Sequence, residues 1–146
     1  MDKLIEAMKR VLADSFAMYL KAHYYHWNVE GPNFPQYHGL FDTIYGEVYG
    51  SIDSTAEHIR ALGGYAPGSL GRFASLTTIE DENTVPIDLE MVTRIAADNQ
   101  KVIATLKVAQ QLAEDLREVG VSNYLQDRID IHQKHAWMLR ATTARQ

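Results

Sequence analysis

Apolar residues recur every three or four positions along most of the chain, which is the spacing of one face of an α-helix. The first such run predicts one long helix that ends near Val29, because Gly31-Pro32 cannot continue it. The second run begins near Pro35, since a first helical turn tolerates proline, and it stops at Gly63-Gly64. These two runs therefore predict two helices joined by a short corner.

Two further helical runs follow a long connection. The third helix is predicted to start near Asp88, a candidate N-cap, and to run to about Val119. Gly120 is predicted to close this helix, and Ser122 is predicted to cap a fourth helix that continues through Leu139. The chain is therefore expected to contain four main helices.

The connection between the second and third helices, residues 65–86, is unusually long for a compact domain. A crossover between helices that run in the same direction would explain its length. Its middle, "GRFASL" at 71–76, is predicted to form a short extra helix. With 146 residues the chain suits a single domain over 1–146. We predict an all-α four-helix bundle with one long crossover.

Composition narrows the functional classes. The net charge of −5, from 14 basic and 19 acidic residues, disfavours binding to the phosphates of nucleic acids. The chain contains no cysteine, which excludes disulfides and thiolate metal sites and is typical of a cytoplasmic protein. The first residues, "MDKLIEAMKRVLADS", carry charges every few positions, so we expect neither a secretory signal nor a membrane span.

Candidate metal ligands form two pairs on the predicted second helix. His38 with Asp42, and Asp53 with Glu57, are each four residues apart and therefore share a helix face. On a straight helix both pairs point the same way to within about 20°, but their midpoints are roughly 22 Å apart. One helix therefore cannot bring both pairs to a single metal ion.

A second copy of the chain removes this difficulty. If two copies cross antiparallel about a twofold axis, His38 and Asp42 of one face Asp53 and Glu57 of the other, and the same operation makes a second site. His26 can join His38 once the Gly-Pro corner folds back. This mixture of nitrogen and oxygen ligands suits Fe²⁺, Mn²⁺ or Zn²⁺ better than Ca²⁺ or copper(I).

A structural interpretation of the same residues stays open. Carboxylates four residues apart occur on many solvated helix faces, and His26 and His38 could be core or interface histidines. The carboxylates, however, border the apolar positions Ile52, Ala56 and Ile59. Like charges beside an apolar face are unfavourable without a cation, and this favours the metal hypothesis.

The same residues carry a resemblance to a known family. "AHYYHWNVEGPNFPQYHGLFD" followed by "DSTAEHIRALGG" resembles the Dps family, the mini-ferritins. The family pattern has H-W-N-V-x-G-P-x-F, a histidine twelve residues after the first, an aspartate four later, and D-x-x-x-E eleven later. Every interval is kept here. The matching positions are His26, His38, Asp42, Asp53 and Glu57. The likeness covers most of the chain, including the long crossover and "KHAWMLRA" at 134–141.

The resemblance implies a ferritin-like bundle that assembles into a hollow homododecamer. It implies ferroxidase sites at the twofold interfaces, with two irons per site and zinc or manganese as substitutes. It further implies that Fe²⁺ is oxidised by hydrogen peroxide in preference to O₂, that ferric mineral is stored, and that the cell is protected from oxidative damage. Carried over, His26, His38 and Asp42 come from one subunit, and Asp53 and the bridging Glu57 come from its partner.

Departures from the family pattern change two expectations. Many members bind DNA through a lysine-rich N-terminal tail, whereas here Lys3 is the only lysine before position 9, so we do not expect direct DNA binding. Asn123 occupies a position where the family often has an aspartate near the iron pore. Asp127 and Asp130 are the candidates to supply the negative field of that pore instead.

The remaining histidines and Trp27 have weaker assignments. We interpret His23 as a core residue or a neighbour of the ligands, and we do not expect His58 to be a ligand, because it points about 100° away from Glu57. Trp27 is a candidate to intercept stray oxidising equivalents, although core packing is the expected role of a tryptophan there. His132 and His135 are not expected to form a separate metal site, because no carboxylate lies four residues from either on that helix.

Two other functions compete with iron oxidation. One is a nucleoid protein that shields DNA, which would need the basic tail that the sequence lacks. The other is a metal buffer that binds zinc or manganese without redox turnover. Oxidation of Fe²⁺ by the protein separates the first hypothesis from both.

Overall fold

The computed structural model describes residues 1–144, so the last two residues of the predicted domain lie outside the described part. The described chain is helical and contains no β-strand. Its helices are α1 (Asp2–Asn28), α2 (Phe34–Gly50), α3 (Ile52–Ala61), α4 (Leu70–Leu76), α5 (Asp88–Asp115) and α6 (Val119–Thr143). Four long rods, with α2 and α3 forming one of them, confirm the predicted bundle, and α4 is the short helix expected in the crossover.

The second rod is not the single helix that the sequence predicts, because it is interrupted at Ser51. The Ser51 hydroxyl donates to the carbonyl of Val48 (2.6 Å), and Thr55 Oγ1 donates to the carbonyl of Ser51 (2.8 Å). Tyr124 of α6 also donates its hydroxyl to the Ser51 carbonyl (3.1 Å). Side chains thus hold the interruption between the two candidate ligand pairs.

The boundary between α5 and α6 also differs from the prediction. Helix α5 ends at Asp115 and α6 begins at Val119, so Gly120 lies inside the first turn of α6 rather than closing α5. Arg117 adopts a left-handed conformation (φ 59°), and the amide of Glu118 donates to the carbonyl of Ala113 (2.8 Å). This is a Schellman-type ending made without glycine, which is why the sequence did not reveal it.

The two predicted caps are likewise corrected. Ser122 is buried within α6 rather than capping it, and its hydroxyl accepts hydrogen bonds from Gln110 and Gln126 (both 3.2 Å). Asp88 is the first residue of α5 rather than its N-cap, a position that Ile87 takes. The Asp88 carboxylate still accepts the amide of Leu89 (2.7 Å), so it stabilises the helix start from one position later.

Buried carboxylates fasten the crossover to the bundle. Asp14 of α1 is fully buried and accepts hydrogen bonds from Thr77 Oγ1 (2.7 Å), from the amide and hydroxyl of Thr78 (2.6 and 2.9 Å), and from Thr105 Oγ1 of α5 (2.6 Å). Four donors on one carboxylate satisfy its desolvated charge. Asp14 therefore ties the crossover to two helices at once.

Glu82 makes a second attachment. It accepts the hydroxyl of Tyr25 (2.7 Å) and is paired with Arg94 of α5. The hydrogen bond from Tyr25, joined by that from Arg94, lowers the pKa of Glu82 to about 2. The long connection is thus held against α1 and α5.

The core is a continuous set of apolar side chains between the rods. Leu4, Met8, Met18 and Phe41 are among its fully buried members. Within the described residues no helix combines the length and apolar character needed to cross a membrane.

Candidate metal centre

His26 and His38 face each other across the corner between α1 and α2. Their rings stack with centroids 3.7 Å apart, and each Nδ1 lies 2.8 Å from the backbone carbonyl oxygen of the other residue. A carbonyl oxygen can only accept, so each Nδ1 carries the proton and donates it. The neutral form of each ring then keeps the lone pair of Nε2 free, and Nε2 is the atom that a metal ion would bind.

The corner that creates this pairing depends on Gly31. Its φ is +134°, in the range that L side chains rarely adopt, and a Cβ there would lie 3.1 Å from the Asp88 carboxylate. The amide of Phe34 donates to the Gly31 carbonyl (3.1 Å), and Pro35 then sits in the first turn of α2 as predicted. The glycine and prolines of this stretch therefore bring the two histidines together.

Asp42 lies exposed one turn beyond His38, beside Tyr45. The nearby Asp42 carboxylate, joined by burial, raises the pKa of Tyr45, because both favour the protonated phenol. Tyr45 also stacks on His23, with ring centroids 3.9 Å apart and planes 7° apart. The stacking of Tyr45 on His23 could not be foreseen from the sequence, whereas the spacing alone puts Tyr45 one turn after Asp42 on the same helix.

His23 lies inside a group of aromatic rings next to the histidine pair. Its ring centroid is 4.1 Å from that of Trp27, and its Nδ1 is 3.1 Å from the hydroxyl of Tyr19. Burial lowers the pKa of His23, the neighbouring His26 adds to this effect, and Asp42 opposes it. The prediction that Trp27 packs in the core is wrong for this protomer, because its side chain is 58% exposed.

Asp53 and Glu57 form the second ligand pair, on the exposed side of α3. The neighbouring Asp53 carboxylate raises the pKa of Glu57, because it favours a proton held between the two groups and its like charge opposes ionisation. Within residues 1–144 neither forms an ion pair with a lysine or arginine side chain. A cation bound from outside the protomer would relieve this repulsion.

One described protomer does not assemble the five residues into a complete site. Across residues 1–144 there is no group of three or more His, Asp or Glu side chains placed to hold a metal ion together. The fold stacks His26 on His38, keeps Asp53 and Glu57 one turn apart on α3, and leaves Asp42 beside Tyr45 on α2. The candidate ligands thus lie in separate parts of an open surface.

His58 follows Glu57 in the sequence, but its side chain packs against α6. Its ring stacks on Tyr124 with centroids 4.2 Å apart, and its Nδ1 donates to the carbonyl of Ser54 (2.7 Å). Tyr124 in turn lies 2.6 Å from Thr55 Oγ1. These contacts give His58 a packing role between α3 and α6.

A second histidine cluster is buried inside the bundle. His132 lies 2.7 Å from Asn99 Oδ1 through its Nδ1 and 3.1 Å from Arg128 Nη2 through its Nε2. The guanidinium of Arg128 makes two hydrogen bonds to Glu47, one of them 3.0 Å long, and His135 Nε2 lies 2.9 Å from Glu47 Oε1. Sequence reasoning missed this network, because Glu47 is 88 residues from His135.

The charges of this network compensate one another. Burial opposes ionisation of Glu47, but hydrogen bonds from His135 and Arg128 outweigh it and lower the pKa of Glu47 to about 2. Burial, together with the nearby Arg128, lowers the pKa of His132 to about 3. Arg128 supplies the cation that a carboxylate in this interior requires.

The three residues considered for an iron pore all lie on the exposed side of α6. Asn123, Asp127 and Asp130 have exposed side chains. Their spacing puts Asp127 about one turn beyond Asn123 and Asp130 about two. A pore needs several copies of the chain, so its formation stays a prediction.

Comparison with known proteins gives the family. The ferritin-like domain family matches residues 5–145. The "DNA protection during starvation protein" of Brevibacillus brevis is 33% identical over 135 residues, which cover 92% of this chain and 90% of the relative. An uncharacterised low temperature-induced protein of Nostoc is 32% identical over 140 residues, covering 94% of this chain and 78% of the relative.

Solved structures agree with the sequence relatives. A Dps protein from Bacillus brevis superposes with a TM-score of 0.92 at 30% identity, over 97% of this chain and 95% of that one. A Vibrio cholerae Dps protein, described as a member of a broad superfamily of ferritin-like diiron-carboxylate proteins, superposes with a TM-score of 0.92 at 25% identity, over 96% and 88%. The chain therefore belongs to the Dps family of ferritin-like proteins.

Proposed function

We propose that this protein oxidises Fe²⁺ at dinuclear sites built by two copies of the chain and stores the ferric product in a hollow shell of twelve subunits. Membership in the Dps family and likeness to a structure described as a ferritin-like diiron-carboxylate protein support this function. The observation that carries it is the carboxylate pair Asp53 and Glu57, one turn apart on the exposed side of α3 and without a lysine or arginine partner among the described residues.

Each half-site has its own task in this proposal. His26 and His38 present free Nε2 lone pairs, because their Nδ1 protons are donated to backbone carbonyls, and Asp42 adds one carboxylate. Asp53 and Glu57 of the second copy add two more, with Glu57 between the two irons. Carboxylates favour the harder Fe³⁺ product, whereas imidazoles bind Fe²⁺ reversibly enough for iron to move on.

Two irons at one site match the electron count of the oxidant. Each Fe²⁺ gives one electron, and one hydrogen peroxide takes both electrons and two protons, so that its O–O bond breaks to give two water molecules. A single Fe²⁺ would supply only one electron and would release a hydroxyl radical. We therefore place hydrogen peroxide before O₂ as the preferred oxidant and protection from oxidative damage, in the cytoplasm, as the consequence.

Iron is the substrate of this reaction rather than a resident cofactor. Zn²⁺ and Mn²⁺ use similar nitrogen and oxygen ligands, so they are expected to compete for the same site without turnover. Asp127 and Asp130 would give the shell wall a negative field at the entry route, and their exposure on α6 is compatible with that role.

The test is the oxidation of anaerobic Fe²⁺ by the assembled protein after peroxide or oxygen is added. Ferric absorbance should rise much faster than without protein, and faster with peroxide than with oxygen. The double variant Asp53→Ala/Glu57→Ala should lose the fast phase, a decrease of at least about 100-fold, because it removes the carboxylates on which both irons depend.

The matched control is Glu114→Ala/Asp115→Ala, which removes the same two charges from the exposed end of α5. This variant should oxidise iron at the rate of the unmodified protein. If iron binds but neither oxidant produces ferric absorbance above the protein-free rate, the protein is a metal buffer and the ferroxidase proposal fails.

A further inference from the structure

One tyrosine of α6 holds the joint between the two candidate half-sites. The Tyr124 hydroxyl lies 2.6 Å from Thr55 Oγ1 and 3.1 Å from the carbonyl oxygen of Ser51. Thr55 Oγ1 donates its own proton to that carbonyl (2.8 Å), so the Tyr124 proton is shared between Thr55 Oγ1 and the carbonyl. These three groups close a ring of hydrogen bonds that fastens α6 to the residue at which α2 and α3 meet.

This ring is buried, whereas the carboxylates beside it are exposed. Ser51 and Thr55 are both buried, and Asp53 and Glu57 lie on the exposed side of α3. Thr55 is two residues from each carboxylate, so it projects from the opposite side of the same helical turn. Buried hydrogen bonds have no water to replace them, so the geometry that they fix is costly to change. The ring therefore orients the turn of α3 that carries the carboxylate pair.

Tyr124 also contacts α3 beyond the carboxylate pair. Its aromatic ring stacks on the imidazole of His58, with centroids 4.2 Å apart and planes 17° apart. His58 Nδ1 donates to the carbonyl of Ser54 (2.7 Å), which fixes the imidazole on its own helix. Tyr124 thus contacts α3 at one residue before Glu57 and at one residue after it.

The joint matters because each proposed metal site takes ligands from both of its sides. The histidines and Asp42 precede Ser51 in the chain, and the two carboxylates follow it. A twofold interface repeats any change of the angle at this joint in both copies. Distances from a metal ion to its ligands stay within about 0.2 Å of their ideal values, so a small rotation of α3 would misplace the carboxylates at both sites.

We propose that Tyr124 is a positioning residue for the carboxylate half-site, which it orients through the hydroxyl of Thr55 and the carbonyl of Ser51. The proposal rests on the two-copy metal site proposed above, and it identifies residues outside the five ligands that set the metal affinity of that site. It also gives the interruption of the second rod a function, since a rod fastened at Ser51 holds its two half-sites in one fixed arrangement.

The assembled protein can be titrated with Co²⁺, a redox-stable probe, by calorimetry and by the visible absorption of the bound ion. Tyr124→Phe keeps the ring against His58 and removes the hydroxyl, so it should weaken Co²⁺ binding about 10-fold, as loss of a partner behind a ligand typically does. The cobalt spectrum should change as well, because the carboxylates move. Thr55→Val removes the other hydroxyl and should have the same two effects.

Two further variants separate positioning from loss of packing. Thr55→Ser keeps the hydroxyl that Tyr124 contacts, so it should retain nearly the Co²⁺ affinity and the spectrum of the unmodified protein. The double variant Tyr124→Phe/Thr55→Val should bind Co²⁺ no more weakly than either single variant, because both substitutions remove the same contact.

Tyr24→Phe is the matched control. It also removes a tyrosine hydroxyl, but this hydroxyl donates to the carbonyl of Thr84 (2.7 Å) and fastens the crossover instead of α3. This variant should bind Co²⁺ with the affinity and spectrum of the unmodified protein. Circular dichroism should give the same helicity for every variant.

The outcomes distinguish this proposal from the one on which it rests. If Tyr124→Phe binds Co²⁺ with unchanged affinity and spectrum while Asp53→Ala/Glu57→Ala does not bind, the positioning role is wrong and the shared site stands. Equal weakening in Tyr24→Phe, or additive losses in the double variant, would also overturn the positioning role. Absence of Co²⁺ binding by the unmodified protein would overturn the metal site itself.

Discussion

Two clusters of histidine and carboxylate side chains differ in how their charges are balanced. Inside the bundle, Glu47 has Arg128 and His135 as partners, and His132 is bonded on both ring nitrogens. On the open surface, Asp53 and Glu57 lie one turn apart, and no lysine or arginine among the described residues neutralises them. The same residue types thus serve stability where the chain supplies the cation and suit metal binding where it does not.

The largest loss of stability is expected from removing the guanidinium of Arg128, which neutralises Glu47. Arg128→Ala should lower the free energy of unfolding by about 3 to 5 kcal/mol, because it leaves Glu47 in the interior without its main partner. The partial exposure of Glu47, 30% for its side chain, favours the lower end of this range. Urea denaturation at equal protein concentration measures the change.

Two further variants define this result. Lys134→Ala, on the exposed side of the same helix, should change stability little. Replacing the pair together, Arg128→Met with Glu47→Leu, should recover most of the loss, because no buried charge is then left alone. A loss below about 1 kcal/mol for Arg128→Ala would contradict the view that Arg128 compensates the interior charge.

Acid should lower the stability that the buried network of Glu47, Arg128 and His132 gives the bundle. The pKa of His132 falls from 6.5 to about 3 on folding, because the folded protein holds this histidine neutral. Its contribution to the free energy of unfolding is therefore complete above pH 6.5 and is lost as the pH falls toward 3. The pKa of Glu47 falls from 4.5 to about 2, so its contribution is lost below pH 4.5. Between pH 7 and pH 4 we expect a loss of about 4 kcal/mol in unfolding free energy, most of it from His132.

His132→Asn is the variant that checks this assignment. It removes the group that titrates between pH 6.5 and pH 4.5, so the free energy of unfolding should depend less on pH in this range. Unchanged pH dependence in this variant would show that the acid sensitivity comes from elsewhere in the molecule.

Acid should have the opposite effect on the exposed pair Asp53 and Glu57, whose mutual repulsion it relieves. The pKa of Glu57 is raised above 4.5, so its repulsion from Asp53 lowers stability at neutral pH and is relieved as the pH falls. Asp53→Asn should therefore leave the melting temperature at pH 7 unchanged or slightly raised, although it removes a proposed ligand. Thermal scans with and without Co²⁺ test this, since the metal should stabilise only the unmodified protein. A clear decrease in melting temperature would make Asp53 a structural residue.

The sequence predicted features that local spacing determines. The bundle, the crossover helix and the corner at Gly31 follow from periodicity and helix-breaking residues. The ligand pairs His38/Asp42 and Asp53/Glu57 follow from the helical repeat, and their role as ligands stays a prediction. The Dps resemblance confirmed by the comparisons rests on the same intervals.

Features that depend on distant contacts were not predicted. The interruption at Ser51 is held in part by Tyr124, which is 73 residues away, and the partner of Glu47 comes from α6. Arg117 ends α5 in a conformation usual for glycine, so composition gave no signal. The exposure of Trp27 is likewise a matter of tertiary position rather than of residue type.

The central claim is that each metal site takes ligands from two copies, and subunit mixing tests it most directly. His26→Ala and Glu57→Ala should each lack fast iron oxidation when assembled alone. When the two variants are co-expressed in equal amounts and assembled at random, half of the twofold pairs are mixed, and each mixed pair contains one intact site, so about one quarter of the normal fast phase should return. If the mixed shells contain both variants and still show no fast phase, the ligands of a site belong to a single chain and the account is wrong.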